Sequence, residues 1–401
     1  MQTSRGVEVA DIFRHYGPEY RTGHLMLRDH LRVMRAIEVC RTAELGGHVD
    51  ECDTCGTIRI SYNSCRNRHC PKCQFLRKEQ WIEARKEDLL PIPYFHVVFT
   101  IPEELNPLAL RNRRTLYGIL FRSVSETLME LGRDPKHLGA QIGFISILHT
   151  WGQNLMEHPH IHCIVTGGGL SSDGQRWVAS RNGFFLPVKV MSRLFRGKFL
   201  DYLQRSYESG ALALPGSVAI LQEAESFREF LRGLYRKEWV LYCKPPFKDA
   251  EGVLQYLGRY THRVAISNHR ILTLEDGKVS FLWRDYSDGN RNKIMTLDAD
   301  EFIRRFLLHV LPARFVKIRY YGLLGSRNRK ATLIKCRELL GVCSEPITDT
   351  GFPEPEGQGI PSWQELLFRV SGIDLSKCPS CREGRMRPKE ILWPIRCARA
   401  P

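Results

Sequence analysis

A chain of 401 residues, 43% of them hydrophobic, has enough apolar material for a sizeable core and enough length for two or three domains. A formal charge of +15 and a pI near 9.3 favour a polyanionic partner, most often nucleic acid. No stretch approaches the ~20 apolar residues of a membrane span, and the opening MQTSRGVEVADIFRHYG lacks the apolar core of a secretion signal, which argues against a membrane partner and for a cytoplasmic location.

Residues 24–45 carry Leu25, Leu27, Leu31, Met34 and Ile37 at roughly helical spacing and are expected as a helix. Residues 48–73 are rich in cysteine and poor in apolar runs. LRKEQWIEARKEDLL then reads as a charged helix, ended by Pro91 and Pro93. Beyond it the texture changes. FHVVFTI, GFISILHTW and HIHCIVT have the β-branched and aromatic content of strands, with a helix between them over 108–132. The fold class expected is α+β. A helical and zinc-binding module at 1–90 precedes a catalytic domain at 91–327, and 328–401 is a linker and tail. SEPITDTGFPEPEGQGIPSW has the composition of that linker.

The 13 cysteines of a reducing compartment read as metal ligands more readily than as disulfides. Cys52 and Cys55 form one C-x-x-C knuckle, Cys70 and Cys73 a second, and fourteen residues separate them. Each knuckle offers two thiolates from one tight turn, so the pair is expected to hold one tetrahedral Zn2+. TIRISY between them can make a hairpin. Cys40, His48, Cys65 and His69 are spare ligands or packing residues. Arg66, Arg68 and Lys72 are threaded between the knuckles, either as phosphate grips or as a solvated basic face. The C-terminal CPSC, with Cys378 and Cys381, is either half of a second site completed by Cys336, Cys343 or Cys397, or an unmetalled turn.

In a strand, His160 and His162 of HPHIHCIVTGGG share one face while Ile161, Cys163 and Val165 point to the other. Taken alone, two partly exposed histidines explain the pattern equally well. If residues 156–159 form a turn, GFISILHTWGQNL folds back so that Gln153 lies opposite His162 and supplies a third, oxygen ligand. Two imidazoles and an oxygen leave coordination positions open, which suits a catalytic Mg or Mn ion. In PPFKDAEGVLQYLGRYTHRVAIS a helix is expected after Pro246 with Asp249 as N-cap. Tyr256 and Tyr260, four apart, then lie side by side, as nucleophiles or as the edge of a buried stripe.

The succession GGHVDECDTCG, SCRNRHCPKCQ, HTWGQNLMEHPHIHCIVTGGGL and YLGRYTHRVAISNHRI resembles the two-tyrosine transposases of the insertion sequence 91 family, from about residue 23 to 327. These are HUH endonucleases, where U is a hydrophobic residue, related to helitron transposases and rolling-circle replication initiators. The resemblance implies an antiparallel HUH sheet flanked by helices, preceded by a helical zinc-ribbon module. It places His160 and His162 on the metal-binding motif, Tyr256 and Tyr260 on the nucleophile pair, and Cys52, Cys55, Cys70 and Cys73 on the zinc domain. Relatives with a polar ligand near Gln153 agree with the hairpin reading. The implied reaction is cleavage and strand transfer of single-stranded DNA through a 5′-phosphotyrosine, in a rolling-circle insertion sequence. Arg259 and Arg263 flank the tyrosines, either as phosphate contacts or as ordinary exposed arginines, and host replication proteins are candidate partners. A plasmid replication initiator, a non-catalytic zinc-dependent DNA-binding regulator and a hydrolytic metallonuclease are the alternatives.

Overall fold

The computed structural model describes residues 6–181, 185–247, 252, 253, 256, 258, 261, 264–286, 288–325, 327–342 and 363–395. The 344–362 portion of the expected linker, Asp249, and the side chains of Tyr260, Arg259, Arg263, Cys343 and Cys397 lie outside the described residues.

The N-terminal region begins with α1 (Val9–Gly23) and α2 (Arg28–Glu38). Of the helix expected over 24–45, only α2 forms as an α-helix, with a single 3-10 turn at Ala43–Leu45, while α1 precedes that span. His24 is extended, and Leu25 and Leu27 stand in solvent, while Met34 and Ile37 are buried. A hairpin of β1 (Gly47–Cys52) and β2 (Ile58–Tyr62) follows, and then α3 (Pro71–Lys86), which carries proline in its first turn where no amide is lost.

The largest sheet is antiparallel and built from β3 (Tyr94–Thr100), β4 (Gln141–Trp151), β5 (Glu157–Leu170), β6 (Trp177–Ala179), β7 (Leu241–Phe247) and β11 (Ile318–Gly322). Its order is β11-β4-β5-β3-β7, with β6 paired to β5. At the end of β5 the three glycines let neighbouring chains approach. A Cβ at Gly167 or Gly169 would overlap the carbonyl of Pro93 or Gln141.

One face of this sheet presents Phe95, Val97, Phe99, Phe144, Ile161, Cys163 and Val165. It packs under α4 (Asn106–Arg111), α5 (Arg113–Arg133), α6 (Val188–Glu208) and α7 (Ala224–Arg236). Burying each large apolar side chain there stabilises the fold by roughly 1.5–3 kcal/mol. The opposite face carries Tyr94, Ile145, Ile147 and Ile164. It is covered by residues of α3, by Val253 and Tyr256, and by α9 (Arg329–Leu339). Residues 252, 253, 256, 258 and 261 are helical. The candidate site lies on this second face.

A further antiparallel sheet of β8 (Ile271–Glu275), β9 (Lys278–Asp285) and β10 (Arg291–Asp298), followed by α8 (Ala299–Leu308), shares a core with α1 and α2. The N-terminal helices thus complete their core with residues from 265–310. The tail also returns to the N-terminal module. α10 (Trp363–Ser371) packs on α3, and β12 (Met386–Leu392) pairs with β1 to give the order β12-β1-β2.

Candidate active site

Three imidazoles converge on the second face of the large sheet. The ligand atoms of His149, His160 and His162 lie within 4.8 Å of one another. Backbone pairing explains why: His149 is directly opposite His160 across β4 and β5, so both side chains leave the same face, and His162 follows one pleat along.

This register corrects the expected hairpin. The reversal occupies residues 152–156, not 156–159, and β5 already begins at Glu157. The Gly152 amide donates to Met156 O, and Leu155 turns through φ +63 with its side chain fully buried. His309 Nε2–H donates to Leu155 O at 3.0 Å, and Arg270 and Arg305 donate to the carbonyls of Gln153 and Asn154. The turn is therefore pinned from the residue before β8 and from the C-terminal end of α8. Gln153 does not lie opposite His162, whose partner is Ile147. Its amide instead donates to Tyr286 Oη at 3.1 Å, and His149 stands at the corner of the site that Gln153 was expected to fill.

Hydrogen bonds orient the rings. His160 Nδ1 is 2.6 Å from His158 O, so Nδ1 carries the proton and Nε2 faces the cluster as a bare lone pair. His160 Nε2 and His162 Nε2 are 3.0 Å apart, and His162 Nδ1 is 2.9 Å from His96 Nε2. Burial, then Lys244 and His160, pushes His96 down to about 3, which makes it a neutral imidazole. Tyr256 Oη lies 2.9 Å from His96 Nδ1. A line of polar atoms thus runs from the Tyr256 phenol through His96 to the histidine cluster. Tyr256 sits on the face with the histidines, where it and Val253, both helical, pack into the core that contains Ile145 and Ile164. His96 was not singled out from the sequence. It lies on β3 opposite Ile164, beside the β5 histidines, and only strand order brings it there.

The donor set fits a divalent transition ion. Nitrogens that all face inward with no carboxylate among them suit a borderline metal, and the hydrogen bonds at Nδ1 of His160 and His162 leave Nε2 for an ion.

The cysteines do not assemble as one site. Cys70 and Cys73 group with Cys40 and Cys65, whereas Cys52 and Cys55 group with Cys378 and Cys381. The two knuckles are kept apart because β1 and β2 carry the first away to the β12 edge, while the second opens α3 against the end of α2. In the first group Cys40 and Cys65 Sγ each lie 3.6 Å from Cys73 Sγ, and hydrogen bonding from the neighbouring sulfurs holds the Cys73 thiol far below its ordinary range. Both four-sulfur groups suit structural zinc. His48 instead faces Asp50 at 3.6 Å, and His69 is outside both groups. Of the basic residues between the knuckles, Arg68 donates to Pro312 O and Phe315 O, and Lys72 pairs with Glu8 at 2.5 Å. These two hold the fold together.

Comparison with known proteins agrees with the order of these parts. A family described as "Transposase zinc-binding domain" matches residues 12–101, and one described as "Putative transposase" matches residues 143–331. A protein named "Putative transposase y4qJ" from Sinorhizobium fredii is 51% identical over 397 residues, covering 98% of each chain. The "Transposase for insertion sequence element IS801" of Pseudomonas savastanoi pv. phaseolicola is 29% identical over 359 residues, covering 88% of this chain and 82% of its own. No solved structure matches. Among the described residues no helix is long and apolar enough to cross a membrane. A zinc-binding region followed by a transposase region, and half of all positions shared with a transposase from end to end, make this chain a DNA-modifying enzyme of the insertion sequence 91 family of transposases.

Proposed function

We propose that this transposase cleaves and joins single-stranded DNA through a covalent 5′-phosphotyrosine, and so moves its element by a rolling-circle route. The observation that carries this reading is Tyr256 Oη held 2.9 Å from His96, which in turn meets His162 of the three-histidine cluster. His149, His160 and His162 would hold the divalent ion, Mg or Mn, with Tyr256 and Tyr260 as the nucleophiles. An all-nitrogen set fits Mn2+ better than Mg2+, which prefers oxygen ligands. A divalent ion there supplies charge that polarises a phosphate oxygen and orients the scissile group.

The tautomers dictate what the side chains do. With His162 Nε2 turned to the cluster as a bare lone pair, its Nδ1–H donates to His96 Nε2. His96 Nδ1 then carries the other proton and donates to Tyr256 Oη. The phenol oxygen becomes an acceptor, and its negative form is the one stabilised. The phenol releases its proton to solvent, its oxygen attacks phosphorus, the bond from phosphorus to the 3′ oxygen breaks, and the leaving oxygen takes up a proton from solvent as a 3′-OH. The phosphotyrosine conserves the energy of the broken ester, so rejoining needs no nucleotide cofactor. A free 3′-OH also primes synthesis, which is where host replication proteins enter.

A zinc-dependent regulator without catalysis would have no use for this line of groups. A metallonuclease would release its 5′ end, and a plasmid initiator would act at an origin and not at the ends of an element. The deciding experiment is incubation with end-labelled single-stranded element ends and Mn2+, followed by denaturing electrophoresis. A labelled band that migrates with the protein, and is lost in Tyr256→Phe/Tyr260→Phe, is expected. Cleavage that leaves no DNA on the protein refutes the phosphotyrosine route.

A further inference from the structure

We propose that Cys52, Cys55, Cys378 and Cys381 bind a second zinc ion that clasps the C-terminal segment onto the N-terminal module. The zinc-binding family match ends at residue 101, so the two C-terminal ligands lie far outside it. Sequence spacing alone offered Cys336, Cys343 or Cys397 as partners for the CPSC knuckle. Of these, Cys336 lies on α9 and is buried in the core on the second face of the large sheet.

The geometry is that of two facing knuckles. Cys52 Sγ is 3.7 Å from Cys381 Sγ, and Cys55 Sγ is 3.6 Å from Cys378 Sγ. Zn–S bonds of ~2.3 Å in a tetrahedron place sulfurs about 3.8 Å apart. S–S bonds need about 2.05 Å, so these are not disulfides. Backbone amides already point at the sulfurs, as they do around thiolates. Thr54 and Cys55 donate to Cys52 Sγ at 3.4 and 3.5 Å, and Gly384 donates to Cys381 Sγ at 3.3 Å. The second observation is Gly384 itself. A Cβ at that position would overlap Cys52 Sγ and the Thr54 side chain, so the tail is shaped to bring its knuckle against the first one.

The clasp is reinforced on both sides of the metal site. Arg385 N–H donates to Asp53 Oδ1 at 2.8 Å, and β12 pairs with β1 from Cys52–Met386 to Gly47–Leu392. The apolar content of this junction is small: Cys52, Cys378 and Met386 form its buried cluster, with Cys381 against it. A three-stranded sheet with so little core needs another source of stability, and a metal supplies it when folding and binding are one event. The clasp closes a loop of more than three hundred residues. It also sets β12 along a groove of about 1860 Å³ whose lining includes Lys389, Trp393, Arg41, Arg66 and Arg77.

The test uses the full-length protein with a specific protease site inserted between residues 344 and 362. Zinc content is measured first, and then the cut chain is passed over a sizing column. Two zinc ions per chain and a C-terminal fragment that stays with the rest are expected. Cys378→Ser/Cys381→Ser should keep one zinc and release the fragment, and stripping zinc from the cut wild type with EDTA should release it too. Cys381→His, which keeps a zinc ligand, should restore both the second zinc and retention. Cys40→Ser/Cys65→Ser should lose the other zinc and leave the fragment bound. One zinc per chain that Cys378→Ser/Cys381→Ser does not alter, or a fragment retained after zinc removal, overturns the proposal.

Discussion

Replacing His96 by phenylalanine fills nearly the same volume in a site where His96 is only 2% exposed, but it removes the ring's hydrogen bonds to His162 and Tyr256. His162 Nδ1 then faces an apolar edge inside the protein. Leaving such a group unpaired costs about 1–3 kcal/mol. A partner that orients a metal-binding histidine is worth 10- to 100-fold in affinity, or ~1.4–2.7 kcal/mol. The expected result is a Mn2+ dependence of single-strand cleavage displaced 10- to 100-fold to higher concentration. Because Tyr256 loses its donor as well, the rate at saturating Mn2+ should also fall. The assay is cleavage of a labelled strand over a Mn2+ titration, with circular dichroism to confirm folding. An unchanged midpoint together with an unchanged maximal rate would refute the relay from His162 to Tyr256.

Three further outcomes are expected. Tyr256→Phe should bind single-stranded DNA with wild-type affinity in a gel-shift assay and lose most of its adduct; full adduct yield would place the nucleophile elsewhere. His149→Ala should reduce cleavage at least 100-fold at fixed Mn2+, whereas Gln153→Ala, whose amide serves Tyr286, should remain within about 3-fold of wild type; equal losses would restore Gln153 to the site. Glu157 is buried beside Tyr117, with one carboxylate oxygen unpaired among the described residues, and burial pushes it up to about 7. A raised carboxyl makes the folded state hold its proton longer than the unfolded chain does. The contribution of Glu157 to stability is therefore greatest below pH ~4.5 and declines as pH rises toward 7, by up to about 3 kcal/mol, and Glu157→Gln should abolish that part of the pH dependence in urea titrations. Parallel curves for the two proteins would show that Glu157 is ionised at no cost.

What could be read without a structure was local in origin. The β-branched and aromatic runs marked β3, β4 and β5, because a pleated strand shows its period within a few residues. The same period put His160 and His162 on one face and Ile161, Cys163 and Val165 on the other, and the core residues lie on that other face as expected. Each C-x-x-C was visible as a pair of ligands from a single turn. What the tertiary structure decided was always a matter of which segment lies next to which. The third imidazole depended on where the β4–β5 turn falls, and that turn is held by His309, Arg270 and Arg305 from distant parts of the chain. His96 entered only through the pairing of β3 with β5. The four cysteines expected in one site separated because β1 pairs with β12, more than three hundred residues away, and Cys70 and Cys73 turn toward the end of α2. Spacing along a chain reports the reach of one turn or one strand. Register and long-range strand pairing are set by burial and anchoring over the whole molecule, so no window of sequence contains them.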